Sequence, residues 1–399
     1  MIDFSIPAET EAIRRRGHEA AEKLLRPVAR YYDEHEHEKP EEVINALWEN
    51  PTIGMSGLAH AGGSIGAVLL MAEGTWGDAG LMLCSPGVGL GGTAVMVSAT
   101  PEQNERFLKR FSGGKPTWGA MAITEPGCGS DTSAITTTAV RDGDEWVLNG
   151  EKIFVTCGKM ALEESDGFVV VWASVDRSAG RAGIKPFVVE AGTAGVRVEK
   201  LEKKLGVKAS DTAALIFENC RIPYDNILGS PEVIDKTKTA GFKKAMATFD
   251  FTRPFVAAMA LGVGRAALEF VKETLDAEGI EIRYTAPRHE LTALERDVMD
   301  MEANLKAAEM LTLRAAWMIE QAQLNELQAS MAKAKTGLAV TRITQKAVEL
   351  LGPVGYSRKH LLEKWMRDAK INDIFEGTGQ INMLIVARRL LGFSREELR

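Results

Sequence analysis

Two short stretches of this 399-residue chain concentrate the residue types that chemistry needs. In Phe375-Glu376-Gly377-Thr378-Gly379-Gln380, one carboxylate sits among apolar Ile374, Phe375 and two glycines. Apolar walls disfavour the charged form and raise a carboxyl pKa toward neutrality, which suits a base that attacks a carbon acid. Taken alone, the stretch is equally well a polar break between helices. The second stretch is Met121-Ala-Ile-Thr124-Glu-Pro-Gly-Cys-Gly-Ser130-Asp-Thr132. A strand there runs into a Pro-Gly turn, two glycines let backbone approach a flat or anionic ligand, and Thr124, Ser130 and Thr132 add hydroxyls. By itself it reads equally as a polar loop capping a sheet.

Other candidates carry less. Gly87-Val-Gly89-Leu-Gly91-Gly92 satisfies G-x-G-x-x-G, a dinucleotide fingerprint only when it leaves a buried strand and opens the helix of a βαβ unit. Only Leu81-Met-Leu precedes it, inside a helical zone, so a close helix contact or turn is expected. His35 and His37 are two residues apart and point to different sides of a helix, with no further ligand nearby, so no metal is expected. Arg14-Arg15-Arg16 and Lys243-Lys244 read as exposed faces.

These stretches must be positioned by three zones. Residues 1–118 are mostly helical by apolar spacing, with Thr100-Pro-Glu-Gln opening one helix. From Thr117 to about Leu228 come short β-rich runs, including Glu145–Leu148, Lys152–Thr156, Gly167–Val175 and Thr212–Ile222. Asn149-Gly150 predicts a two-residue hairpin turn. From Gly241 onward the helical period returns in Phe242–Glu278, Leu291–Gln323, Leu327–Leu351 and roughly Leu361–Leu391, an antiparallel four-helix bundle. Blocks in the order helix, strand, helix predict an α+β chain with domains at 1–118, 119–230 and 231–399.

Composition bounds the function. At 45% hydrophobic and 26% charged residues, with net charge −7, the chain is ordinary globular material without a basic face for nucleic acid. Cys84, Cys128, Cys157 and Cys220 form no C-x-x-C pair and fit a reducing compartment. No apolar h-region opens the chain and no run of 18 uninterrupted apolar residues follows, so a cytoplasmic protein without a membrane span is expected.

The two stretches do not stand alone. With Val147-Leu-Asn-Gly-Glu-Lys-Ile-Phe-Val-Thr156, Lys204-Leu-Gly-Val-Lys-Ala-Ser-Asp-Thr212, Phe249-Asp-Phe-Thr-Arg-Pro254 and Arg367-Asp-Ala-Lys370, the chain resembles the acyl-CoA dehydrogenases over about residues 100–392. The resemblance implies an N-terminal helical domain, a middle β domain and a C-terminal bundle, with FAD between the last two. It implies α,β-desaturation of an acyl-CoA thioester: Glu376 takes the α-proton while the β-hydride passes to flavin N5, and electrons go on to an electron-transferring flavoprotein. By the same resemblance, Thr124 and Thr156 bond the flavin ring, Phe154 lies against it, and Thr378 and Gln380 touch its adenosine part. Ser130 borders cofactor and acyl-CoA, Asp250 and Arg253 line the thioester and pantetheine channel, and Gly377 lies on the substrate side. Relatives that carry their base near Phe249–Pro254 have a glutamate there; this chain has Thr252, which leaves Glu376.

Two places depart from the family pattern. Relatives commonly carry R-x-x-F-G and Q-x-L-G-G segments that reach the ADP half of a neighbouring subunit's FAD. Here Glu278-Gly-Ile-Glu-Ile-Arg283-Tyr-Thr285 and Glu349-Leu-Leu-Gly352-Pro353 stand instead. That implies a homo-oligomer in which Arg283 takes over or, slightly favoured, a heteromer with a second acyl-CoA dehydrogenase-like chain. An acyl-CoA oxidase and a non-catalytic structural subunit are the alternative functions.

Overall fold

The structure, a computed structural model, describes residues 5–49, 52–233, 240–393 and 397, and the side chains of 240–246 lie outside that description, Lys243-Lys244 among them. Helix opens the chain. α1 (Ala8–Ala20) runs through a π turn and the Arg26–Val28 3₁₀ turn into α2 (Ala29–Glu34), followed by α3 (Glu41–Glu49), α4 (Gly54–Leu58), α5 (Ser64–Gly77), α6 (Ala79–Leu83), α7 (Gly89–Ser98) and α8 (Pro101–Leu108). Thr100 opens α8 with a capping box: Thr100 Oγ1 accepts from Gln103 N at 3.3 Å and Gln103 Oε1 accepts from Thr100 N at 3.1 Å. Arg14 departs from the exposed face expected of it. It is half-buried, donating to Glu11 at 2.6 Å and lying 3.8 Å from Glu73, while Arg15 and Arg16 are exposed.

The strands are β1 (Gly119–Ala122), β2 (Thr138–Asp142), β3 (Glu145–Thr156), β4 (Phe168–Ser174), β5 (Ile184–Glu190), β6 (Val196–Leu201) and β7 (Thr212–Pro223), with the short helix α9 (Gly158–Glu163) after β3. Their order is β1-β4-β2-β3-β7-β6, with β5 also on β4. β4 is buried along its whole length, which is why Phe-Val-Val-Val-Trp-Ala reads as a continuous apolar run and not an alternation. Gly91 of α7 packs against the backbone of β1, where a Cβ would collide with Ala120, so the glycine-rich run is the close helix contact expected.

Asn149-Gly150 is not a hairpin turn. β3 passes straight through it, and the register to β7 shifts between Leu148 and Gly150. The pair makes a bulge: Asn149 Oδ1 accepts from Asn219 N at 2.8 Å, and Gly150, at φ 149°, leaves room for Thr137. The hairpin between β2 and β3 turns instead at Gly143-Asp144.

The C-terminal zone is built from α10 (Ala240–Ala277), α11 (Ala293–Glu320), α12 (Glu326–Tyr356), α13 (Leu362–Ala369) and α14 (Gly379–Leu391). The fourth long helix expected over 361–391 is therefore two, separated by a 3₁₀ turn at Lys370–Asp373 and an irregular break through Glu376. Positive φ at Glu376 and Gly377 prevents one continuous helix. Within α10, residues 247–277 are apolar enough to cross a membrane by composition, but 78% of their most apolar stretch is buried inside the protein, as the central helix of the core. Leu25, Leu70, Val263, Val340 and Trp365 form one cluster across α5, α10, α12 and α13. Buried Lys364 joins Asp78, the N-cap of α6, to Asp368 of α13, and Asp368 accepts from Val207 N at 2.6 Å, tying all three zones together.

Candidate active site

The break between α13 and α14 carries Glu376 in a left-handed backbone conformation, φ 53°, followed by Gly377 at φ 92°. A non-glycine residue held there costs about 1–3 kcal/mol, so surrounding contacts must over-determine it. They do. Buried Lys333 of α12 donates through Nζ to Asn372 O at 2.6 Å and Gly377 O at 3.1 Å. Asn382 Nδ2 donates to Gly377 O at 2.8 Å and Thr378 O at 3.0 Å, and Thr378 Oγ1 caps α14 by accepting from Ile381 N at 3.2 Å.

The carboxylate of Glu376 turns toward α10, where Thr252 Oγ1 donates to its Oε2 at 2.6 Å. Burial pushes the Glu376 carboxyl above its ordinary range, while Thr252, Lys333 and Arg253 pull it back. One residue along α10, Arg253 is 3% exposed and donates to Asp250 Oδ1 at 2.6 Å and Ser330 Oγ at 3.4 Å. Its Nε finds no hydrogen-bond partner among the described residues. Burial pushes Asp250 up to about 6 against the pull of Arg253.

The sheet supplies the other half. Thr124 O accepts from Ile153 N at 2.9 Å, which sets Thr124 beside the end of β3, where Phe154 and Thr156 follow. The loop after Thr124 is pinned from below by Glu125, which accepts from Thr136 N at 2.7 Å, Thr136 Oγ1 at 2.6 Å, Thr137 N at 3.0 Å and Lys152 Nζ at 2.8 Å. Lys152 also donates to Ile123 O at 3.1 Å. Despite its burial, Glu125 is held down to about 2 by Lys152 and the two threonines. Thr156 is half-buried and pairs with Thr212, and Cys157 donates to Leu83 O at 3.2 Å. Phe154 is 59% exposed at φ 59°, and Ser130 is exposed on the loop.

Apolar packing brings the halves together. Phe249 of α10 packs on the cluster holding Ile123 and Cys128, so the turn with Asp250, Thr252 and Arg253 borders the Thr124–Thr132 loop. Phe375 and Leu83 both pack on the layer of Val68, Met71, Met82 and Met259. Thr378 and Gln380 lie apart, on the first turn of α14. The sequence reading had no role for Lys333, Ser330, Asn382 or Lys152, and it noted Thr252 only as the residue standing where some relatives place a base. One signal for Lys333 was present, since it shares a helical face with Ala329, Ala332, Thr336 and Val340, all buried.

These residues fit a flavin. Phe154, an exposed aromatic ring on a strained backbone, lies two residues before half-buried Thr156 on β3, and half-buried Thr124 is joined to β3 at Ile153. A Cβ added at Gly127 would meet nothing within 4 Å, and one at Gly129 only Thr124 Cγ2 at 4.0 Å, so the loop leaves open space beside them. The first turn of α14 adds backbone donors suited to an anionic group. The two departures are also clear in the fold. Arg283 donates to Glu295 at 2.7 and 2.8 Å in the cap of α11, and Glu349 is exposed beside Lys346 at 2.9 Å.

Models of the acyl-CoA dehydrogenase N-terminal, middle and C-terminal domains match residues 7–115, 120–220 and 239–391. The chain is 36% identical over 394 residues to a short-chain specific acyl-CoA dehydrogenase, mitochondrial, of Bos taurus, covering 97% of this chain and 91% of that one. Butyryl-CoA dehydrogenase from Megasphaera elsdenii superposes with a TM-score of 0.84 at 29% identity, covering 98% and 100%. A chain from the structural study of the electron transferring flavoprotein of Acidaminococcus fermentans gives 0.84 at 33% identity, also covering 98% and 100%. With all three domains in order around the Glu376 break and the Thr124 loop, the chain belongs to the acyl-CoA dehydrogenases, FAD-dependent oxidoreductases of fatty-acid β-oxidation.

Proposed function

We propose that this protein desaturates a short-chain acyl-CoA, with Glu376 as the base that removes the α-proton. The observation that carries the reading is a buried carboxyl, raised above its ordinary range, on a strained turn between Thr252 and the Lys333–Gly377 contact. A raised pKa improves proton acceptance from a weak carbon acid, and the hydroxyl keeps the carboxylate aimed. The backbone N–H groups of Glu376 and Gly377, on the strained turn itself, would serve as donors to a developing enolate oxygen. FAD, when bound, supplies the hydride acceptor, with Thr124, Ser130, Phe154, Thr156, Thr378 and Gln380 as the residues that hold it. Asp250 and Arg253 line the channel for the thioester and pantetheine.

A short acyl group follows from the filled layer behind the base, where Phe255 and Phe375 pack on Met82 and Met259, and from the short-chain and butyryl-CoA specificities named for the relatives. Electrons pass to an electron-transferring flavoprotein, in the cytoplasm, and the three domains divide at 118 and 230. The pairing of Arg283 with Glu295 favours a heteromer whose second acyl-CoA dehydrogenase-like chain completes the ADP half of the FAD site, because that arginine is engaged in its own helix cap. The protein purified as it assembles in the cell, with its bound FAD and any co-purifying chain, is titrated anaerobically with acyl-CoAs of increasing length and is expected to bleach its flavin with butyryl-CoA and progressively less with longer chains. Absence of bleaching with every acyl-CoA contradicts the reading. Full FAD occupancy in a homo-oligomer contradicts the heteromer.

A further inference from the structure

Lys333 is a cation in the protein interior, 1% exposed, in the first third of α12. Burying an ammonium is costly unless it is paired or hydrogen-bonded. Its two acceptors are neutral carbonyls, Asn372 O at 2.6 Å and Gly377 O at 3.1 Å, and they lie on either side of Glu376. One side chain thus clamps both ends of the break that carries the carboxylate. Among the described residues, the charged groups that act on it are Glu376, Asp373 and Arg253. Asp373 on the 3₁₀ turn pairs with Lys370 at 3.1 Å, Arg253 on α10 pairs with Asp250, and Glu376 faces it from the break. Asn382 of α14, which shares Gly377 O, is neutral. On α12 itself Lys335 points away to Asn304 at 2.6 Å.

We propose that Lys333 is a positioning residue for Glu376: it clamps the left-handed turn through the Asn372 and Gly377 carbonyls, and its buried charge keeps the carboxylate ionised for proton removal. The proposal rests on the reading of Glu376 as the base. A lysine that merely filled space would be replaceable by methionine, which has nearly the same length and fits an apolar site better. A clamp that carries charge is not. Burial already pushes Lys333 down to about 8, so the clamp loosens as pH rises through that value. Arginine at this position stays charged.

Lys333→Met, Lys333→Arg and Glu376→Gln are compared as FAD-loaded enzymes, mixing each with butyryl-CoA over pH 6 to about 9.5 and following flavin reduction. Lys333→Met is expected to slow reduction about tenfold at neutral pH, to change half-saturation by butyryl-CoA less than about threefold, and to move the acid limb about one unit upward, the equivalent of that tenfold. Wild type is expected to show an alkaline inflection that Lys333→Arg removes. If Lys333→Met does not fold, the Lys333→Arg profile alone decides. A Lys333→Met enzyme with wild-type rate and acid limb, beside an inactive Glu376→Gln, overturns the lysine clamp and leaves the base in place. A retained inflection in Lys333→Arg likewise overturns the clamp. A Glu376→Gln enzyme that reduces flavin normally overturns the base reading itself.

Discussion

Thr252 of α10 and Glu376 of the α13–α14 break meet in one short hydrogen bond, Oγ1 to Oε2 at 2.6 Å. The bond favours the carboxylate over the acid, whereas burial favours the acid. On the proposed role of Glu376, the pair therefore sets how much of the base is ready at a given pH.

Replacing Thr252 with Val removes the donor and leaves the shape. A hydrogen bond to a charged group is worth about 1.5–3 kcal/mol, or roughly one to two pH units. The folded pKa of Glu376 rises, so the acid limb of the flavin-reduction profile moves to higher pH by about that amount. An acid limb that stays in place shows that Thr252 does not tune the base.

Thr156 is half-buried at the end of β3 next to exposed Phe154. Thr156→Val is expected to slow flavin reduction by about 1.5–3 kcal/mol of barrier while acyl-CoA binding changes little. An unchanged rate together with an unchanged flavin spectrum places Thr156 away from the ring.

The Glu125–Lys152 pair supports the Thr124 loop from the interior. Removing one partner of a buried pair costs about 3–5 kcal/mol, so Lys152→Met is expected to lower the melting temperature sharply. The acid side has a definite sign. Glu125 is held at about 2 in the fold, below its unfolded value of about 4.3, so its contribution is complete above about 4.3 and is lost as pH falls toward 2. Melting temperatures of Glu125→Gln should lie below wild type at neutral pH, with the gap closing between pH 4 and 2. A gap that is constant with pH shows that the carboxylate charge is not what stabilises the loop.

Much of this arrangement was legible in the sequence, and the exceptions have physical causes. Thr100-Pro-Glu-Gln announced a helix start because that signal is local, and the structure completes it as a capping box; Gly167–Val175 announced a strand, and the structure shows why the run is unbroken, since β4 is buried along its whole length. Asn149-Gly150 misled because the same dipeptide that favours a type I′ turn also tolerates a bulge, and only the neighbours Thr137 and Asn219 decide between them. Glu376 stood out as a candidate by its apolar and glycine flanks, which alone fit a polar break between helices equally well. The partners that hold it did not, since Lys333 and Lys335 look alike in Ala-Lys-Ala-Lys until packing turns one inward and the other toward Asn304.

The central claim is that Glu376 takes the α-proton, and it is tested apart from electron transfer by α-hydrogen exchange of enzyme-bound butyryl-CoA in deuterium oxide, read by mass spectrometry. Glu376→Gln keeps the size of the side chain and removes its basicity. The account predicts FAD and butyryl-CoA binding close to wild type, with deuterium uptake at the α-carbon and flavin reduction slowed at least about 10²–10⁴-fold, the range for loss of a general base. Wild-type deuterium uptake in Glu376→Gln would contradict it.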